Sequence, residues 1–480
     1  MNQESGKPGE QEEVTGLVCE EADLKDGQMK EVTVGDQKVL LVRTHGQYSA
    51  IGNQCTHYSA ALVKGALSGD RVRCPFHGAC FNVKTGDIEE YPGLDSVPSY
   101  KVKLSHLFFV ISGPASLVCA ETLRQNCYQG RIIIMTKDTL LPFDKTKLSK
   151  AMNLDSSSIL LRSSDFLQQY GIEVWTQKEV RGKKANCLTE CSIYHVISLS
   201  SRPLSCPGSD LKGVNVLQCY EDAKEINGSS PGHKAVVIGA SFIGMEVASY
   251  LSDKAASVAL VGTSRYPYER SLGPEIGNMS MQMLEEQNVK FYMKDEVTEI
   301  RGENGKVKEV VLKSGTVLEA DVVIAGIGNY ILLLQGFCHE LLSLFKQYMR
   351  TNIPDVFAAG DVTSFPLTIR GDQRVNIGHW QMSQAHGRIA ALNMLKKPTK
   401  IESIPFFWTV LLGKSIRYAG YAEGYTEIVF KGKVEERKFV ALYIKDEVVV
   451  AAASLMFDPA VSRVAELMAT GQTLTKAQAQ

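Results

Sequence analysis

The chain has 480 residues, with 52 Lys+Arg against 53 Asp+Glu and 44% apolar residues. That length allows about three or four domains at roughly 100–200 residues each, and the balanced charge argues against nucleic acid or an anionic membrane as the main partner. The longest apolar stretch, Val448 to Phe457, is interrupted by Ser454 and reaches half of what a bilayer crossing needs, which excludes a transmembrane helix.

Residues 1–13 hold Gly, Pro, Gln and Glu and almost nothing to bury, so they read as a disordered tail with no visible presequence. From Val14 to about Leu104 the segments are short and β-like: Glu31–Val34, Lys38–Thr44, Tyr48–Ile51, Arg71–Cys74 and Tyr100–Leu104. Gly and Asp punctuate them, so residues 14–105 predict a small all-β domain. Apolar strands then alternate with helical patterns, the signature of parallel α/β units. Leu107–Ile111 leads to Ala115–Gln125 and Arg131–Met135, and the pattern repeats at Ala235–Ile238, Gly244–Ser252 and Ser257–Val261. Asn227 to Gly232, rich in Gly, Ser and Pro, marks the boundary before the repeat. This predicts two Rossmann-like domains, the second (231–335) inserted in the first (106–230 and 336–403). Alternating strands after Ile404, a helical run at Pro459 to Ala469 and a polar tail predict an α+β C-terminal domain over 404–472. Eleven cysteines are too sparse for a disulfide scaffold and read as ligands, thiols or core residues of an intracellular protein.

Cys55-Thr56-His57 is followed, sixteen residues on, by Cys74-Pro75-Phe76-His77-Gly78. Two thiolates and two imidazoles suit zinc. Each loop carries one of each, however, and a [2Fe–2S] cluster with two Cys on one iron and two His on the other needs that mixture. These residues resemble a Rieske domain. High-potential members of that family carry a second Cys in each loop, where this chain has Ala60 and Phe76, and hydroxyl donors near the sulfurs, where it has Ala79 and Phe81. The resemblance therefore implies a centre near the lower end of the roughly −150 to +300 mV range.

Ile353 to Asp361 resembles the segment of FAD-dependent pyridine nucleotide oxidoreductases in which a strand ends in Gly-Asp. There Gly360 would admit the ribityl chain and Asp361 would accept a hydrogen bond from it. A helix starting near Trp380 would aim its N-terminus at the flavin. Upstream, the first dinucleotide turn keeps Gly113 but has Ile111 and Ser116 where the fingerprint has glycines. Asp138 falls where an acidic ribose contact is expected. Pro142 to Lys150 is similar to a segment of ferredoxin-reductase-like flavoenzymes whose last Lys lies near flavin N5. Lys150 inherits that role, the alternative being a solvated Lys on a basic loop.

Val237 to Glu246 follows a strand and opens a helix, the context that makes the dinucleotide fingerprint informative. Gly239 makes the turn, Ser241 replaces the middle Gly, and Gly244 packs the helix on the sheet. In similar enzymes the Glu at Glu246 contacts the nicotinamide carboxamide. Asp321 to Gly328 matches the strand and Gly-rich turn, including Gly326, that close such a domain. The second strand ends at Gly262, where an acid normally binds the ribose 2′-hydroxyl, and Arg265 follows nearby. Arg265 meets a 2′-phosphate or is a surface Arg, so NADH versus NADPH stays open. Cys187 and Cys191 read as structural.

A β domain of this kind before a two-nucleotide core resembles the Rieske-containing branch of the apoptosis-inducing factor flavoproteins. The resemblance implies a [2Fe–2S] cluster, FAD, NAD(P)H, a mitochondrial or cytoplasmic setting and a link to cell death. The activity it implies is an NAD(P)H-dependent oxidoreductase passing electrons through FAD to the cluster, with an unknown final acceptor. The damaged first turn motivates the alternative, a cluster-carrying signalling protein whose flavoprotein core no longer turns over.

Overall fold

In the computed structural model, the described residues are 18–19, 23–102, 108–111, 113–178, 200–201, 204–327, 329–330, 348–351 and 356–480, without the side chains of 108–111, 200–201 and 329–330. The expected tail at 1–13, the side chain of Ile111, Cys187, Cys191, Gly328 and Ile353 to Asp355 fall outside this set. The chain divides into two compact units, Met1–His106 and Leu107–Gln480.

The first unit is all β. Gln28–Val34, Gln37–Thr44, Gln47–Gly52 and Ser99–Tyr100 form one antiparallel sheet in that order, and Ala66–Ser68, Arg71–Arg73, Cys80–Asn82 and Ile88–Glu90 form a second. Gln37–Thr44 is buried on both faces because side chains alternate along a strand. Leu40 and Val42 join Ile51, Val72 and Phe81, while Val39 and Leu41 join Leu24 and Val32 on the opposite side. Ala66–Ser68, Cys80–Asn82 and Ile88–Glu90 went unread in the sequence because three residues carry almost no periodicity.

In the second unit, strand Phe108–Ile111, helix Pro114–Gln125 and strand Ile132–Met135 build the first α/β layer, with Ile172–Trp175 pairing in parallel on the far side of 132–135. The repeat, Lys234–Ile238, Phe242–Leu251 and Ser257–Gly262, lies in a five-stranded parallel sheet in which Val237 stands between Leu260 and Ile324. Helix Trp380–Met394 returns to pack on Pro114–Gln125, burying Met382, Ile389 and Ala390 with Leu117, Ala120 and Leu123. The late segment thus completes the layer begun at Phe108, as expected when one dinucleotide unit interrupts the other. Strands Phe406–Leu411, Lys414–Gly420, Val448–Leu455, Lys438–Lys445 and Glu427–Lys433 make an antiparallel sheet in that order, against which helix Ala460–Ala469 packs. No helix among the described residues is long and apolar enough to cross a membrane.

The boundary stretch starts within the end of helix Tyr220–Ser229, where the Tyr250 hydroxyl donates to Asn227 Oδ1 at 2.7 Å, and the next strand starts at Lys234. The polar tail is docked. Thr475 caps helix Lys476–Ala479, Val449 N–H donates to the Leu474 carbonyl at 2.8 Å, and Ala479 is buried. The capping box, the packing of Leu474 and Ala479, and the Lys476–Glu427 ion pair at 2.6 Å together dock this polar segment.

Candidate functional site: a two-loop metal centre and a dinucleotide cleft

In the first unit, the two Cys-plus-His loops share one backbone design. Cys55 N–H donates to the Ala60 carbonyl (2.9 Å) and Cys74 N–H to the Ala79 carbonyl (2.8 Å). Each turn is closed by a residue in the left-handed region, Ser59 (φ 51°) and Gly78 (φ 81°). Arg73, strapped to Glu90 at 2.7 Å, also donates to the Gly78 carbonyl at 2.9 Å and so fixes the second loop. The Thr56 hydroxyl ties the first loop to the Asp95 carbonyl at 2.7 Å.

This geometry pairs like with like. The rings of His57 and His77 stand 4.9 Å apart between centroids. The buried thiols of Cys55 and Cys74 adjoin: burial raises the Cys55 pKa, and the Cys74 thiol raises it further. His57 Nδ1 is buried without a hydrogen-bond partner, a costly arrangement unless something else takes it up. Two thiols on one side and two imidazoles on the other fit a two-iron cluster with two Cys on one iron and two His on the other. Ala79 and Phe81 are fully buried and apolar, so neither offers a hydroxyl to the sulfurs.

In the second unit, one cleft gathers residues far apart in sequence. It is lined by Gly113 and Ser116 of the first turn, Lys150, Phe242 and Glu246 of the second dinucleotide unit, Gly360 and Asp361, and Trp380. Glu246 is buried and receives three hydrogen bonds: from the Ser149 hydroxyl, from Lys150 Nζ at 2.9 Å, and from the Thr409 hydroxyl at 2.7 Å. Its oxygens are therefore directed at Lys150 and its neighbours, where the sequence suggested a carboxamide contact. Ser383 Oγ, in the first turn of helix Trp380–Met394, donates to Asp361 Oδ1 at 3.1 Å. Gly360 takes a φ of 85°, and its N–H donates to His386 Nδ1 at 3.2 Å. Burial pushes the His386 pKa down to about 4, which keeps the imidazole a neutral acceptor. His379 Nδ1 is buried and unpartnered in the cleft wall, a polar atom positioned for a ligand. The residues present fit a flavin, and the departures at the first turn leave Gly113 and Ser116 on its wall.

Asp138 is not on that wall. It is buried, takes a hydrogen bond from the Thr136 hydroxyl at 3.1 Å, and lies 3.9 Å from Lys145 Nζ, which does line the cleft. Gly239, Ser241, Gly244 and Gly326 form a separate knot at the second turn. Ser241 Oγ donates to the Gly326 carbonyl at 3.1 Å, and a Cβ on Gly239 would stand 2.5 Å from that same oxygen. Arg265 lies beyond, exposed, with its guanidinium 5.1 Å from the Tyr266 ring. Ser149 lies inside the segment 142–150 but is not singled out by it; Ser383 lines the cleft, and Thr409 and His386 act on it through Glu246 and Gly360, partners distant in sequence.

Residues 108–387 match the model of the pyridine nucleotide-disulphide oxidoreductases, 15–101 that of the Rieske [2Fe-2S] domain, and 406–480 that of the reductase C-terminal domain. The chain is 42% identical to mouse and to human apoptosis-inducing factor 3, over 98% of its own length and 86% of each relative. It is 29% identical to the ferredoxin–NAD(+) reductase subunit of the benzene 1,2-dioxygenase system of Pseudomonas putida, over 68% of this chain and 83% of that one. In fold it is similar to a ferredoxin reductase from Rhodopseudomonas palustris (TM-score 0.72, 24% identity, 78% of this chain and 97% of that one).

Proposed function

The chain belongs to the pyridine nucleotide-disulphide oxidoreductase family and is an FAD-dependent NAD(P)H oxidoreductase with a Rieske [2Fe–2S] domain, and on that premise we propose that the cluster of its own first unit receives the electrons. The observation that carries the reading is the single cleft shared by the two dinucleotide units: Gly113 and Asp361 come from one, Phe242 and Glu246 from the other. Flavin, when bound, converts a two-electron hydride donor into one-electron steps, which suits a one-electron cluster.

The chain's own groups hold and tune the site. Asp361 would accept a hydrogen bond from the ribityl chain, and Ser383 keeps its carboxylate in place. The N-terminus of helix Trp380–Met394 would present a positive dipole end to the flavin. Lys150 offers a donor whose charge is balanced by Glu246, so the site is polar without a net buried charge. Phe242 and Phe407, 4.7 Å apart between centroids, help exclude water on the nicotinamide side. Asp138 orders Lys145 at the adenosine side. Cys55 and Cys74 would hold one iron, and His57 and His77 the other. The ferredoxin–NAD(+) reductase named above suggests an onward acceptor of ferredoxin type, and the name of the 42% identical relatives suggests a link to apoptosis. The absorption spectrum of the purified chain tests the cofactor complement: flavin and Rieske bands together support it, and stoichiometric zinc without iron overturns it.

A further inference from the structure

We propose that the loop after strand Ser257–Gly262 is a binding site for a 2′-phosphate, formed by Arg265 and Lys294, so that the nucleotide bound is NADPH; this rests on the nicotinamide reading of the second turn. The end of the second strand is where the adenosine ribose lies against a dinucleotide fold, and a carboxylate there bonds the 2′-hydroxyl and repels a 2′-phosphate. Here the position is Gly262, and it has no room for a side chain: a Cβ would stand 2.8 Å from Ala240 Cβ and 3.1 Å from Met293 Cε. Both effects of an acid, the bond to the hydroxyl and the repulsion of the phosphate, are lost together.

Two cations stand in its place. Arg265 is three residues on. Lys294 comes from the neighbouring strand end, where its N–H donates to the Ser264 carbonyl at 3.1 Å and Asp295 N–H donates to the Gly262 carbonyl at 3.1 Å. Residues 262–265 and 294–295 are thus laced into one rim, with the Arg265 and Lys294 side chains exposed. Two carboxylates share the rim, each held by backbone N–H groups and paired with neither cation. Glu269 Oε2 accepts the N–H groups of Arg265 (2.9 Å) and Tyr266 (3.4 Å). Asp295 Oδ1 accepts those of Glu296 (2.9 Å) and Ser314 (3.2 Å). Among the described residues no ion pair holds either cation. Tyr266 stacks beside the guanidinium and limits its swing. Arg presents a fork to phosphate and Lys a point charge, and the exposed Thr263 adds a hydroxyl.

Calorimetric titration of the full holoprotein with NADP+ and with NAD+ tests this. One charge-assisted phosphate contact corresponds to about tenfold or more in affinity, so NADP+ is expected to bind at least tenfold tighter, increasingly so at low salt. Arg265→Ala and Lys294→Ala should each weaken NADP+ about tenfold while leaving NAD+ within about twofold, and Arg265→Glu should invert the preference. NAD+ binding as tightly as NADP+ overturns the proposal, as does a preference that survives both substitutions. Neither nucleotide binding would instead overturn the nicotinamide reading beneath it.

Discussion

Lys150 Nζ lies 2.9 Å from Glu246 Oε2, although the two residues belong to different dinucleotide units. The carboxylate is 4% exposed and the lysine side chain 20%. Ser149 and Thr409 complete the contact, the latter from the C-terminal sheet. One ion pair therefore knits three segments of the oxidoreductase unit at the cleft floor. The family resemblance placed both residues at the reaction centre in separate roles; the structure makes them one group.

Removing one partner should hurt more than neutralising both. Lys150→Met leaves a buried carboxylate without its cation, a change that costs about 3–5 kcal/mol in buried pairs. The double variant Lys150→Met with Glu246→Gln retains an acceptor for Thr409 and strands no charge, so it should recover much of that loss. Urea unfolding of the four proteins of the cycle measures it. Additivity within about 0.5 kcal/mol would show the two residues to be independent.

His386 predicts a stability loss on mild acidification. Its pKa is pushed down to about 4 in the folded chain, against 6.5 when free. The folded state resists the proton that the unfolded state accepts, so the stabilisation is full above pH 6.5 and is lost as pH falls toward 4. At 1.36 kcal/mol per unit, this is on the order of 3 kcal/mol. His386→Asn keeps an acceptor for Gly360 N–H and should reduce the slope over that window, leaving the contribution of His379, which burial also pushes down to about 4. An unchanged slope would mean another group titrates there.

Much of this was readable in advance. Cys55, His57, Cys74 and His77 were legible because ligand chemistry fixes residue type and spacing within two short loops. Gly239, Gly244 and Gly360 were legible because close backbone approach admits only glycine. His386 and Thr409 were not, since their function is to meet residues distant in sequence and nothing in their own neighbourhood marks them. The docked segment from Leu474 to Gln480 escaped for the opposite reason: its composition is polar, and a single buried Ala479 leaves no periodic signal.

Helix–helix contact in the flavin layer should be intolerant of one methyl group. A Cβ on Gly387 would stand 2.0 Å from the Ala115 carbonyl oxygen, a backbone atom that cannot rotate away. Gly→Ala inside a helix normally stabilises by about 1 kcal/mol. Here overpacking, at about 1–3 kcal/mol, should win, and Gly387→Ala should lower both the melting temperature and flavin retention. A rise in melting temperature would show the two helices free to separate.

The metal centre should be separable from the rest. His77→Ala is expected to abolish the Rieske EPR signal while leaving flavin absorbance and the melting of the Leu107–Gln480 unit in place. Loss of flavin in the same variant would contradict the independence of the two units.

Anaerobic addition of NADPH to the holoprotein, followed by EPR of the cluster and absorbance of the flavin together, tests the central claim most directly. Electrons entering at the dinucleotide cleft should bleach the flavin and then bring up the reduced-cluster signal, and protein stripped of flavin should show no cluster reduction. A flavin that bleaches while the cluster stays oxidised, or a cluster reduced equally well without flavin, would contradict the account.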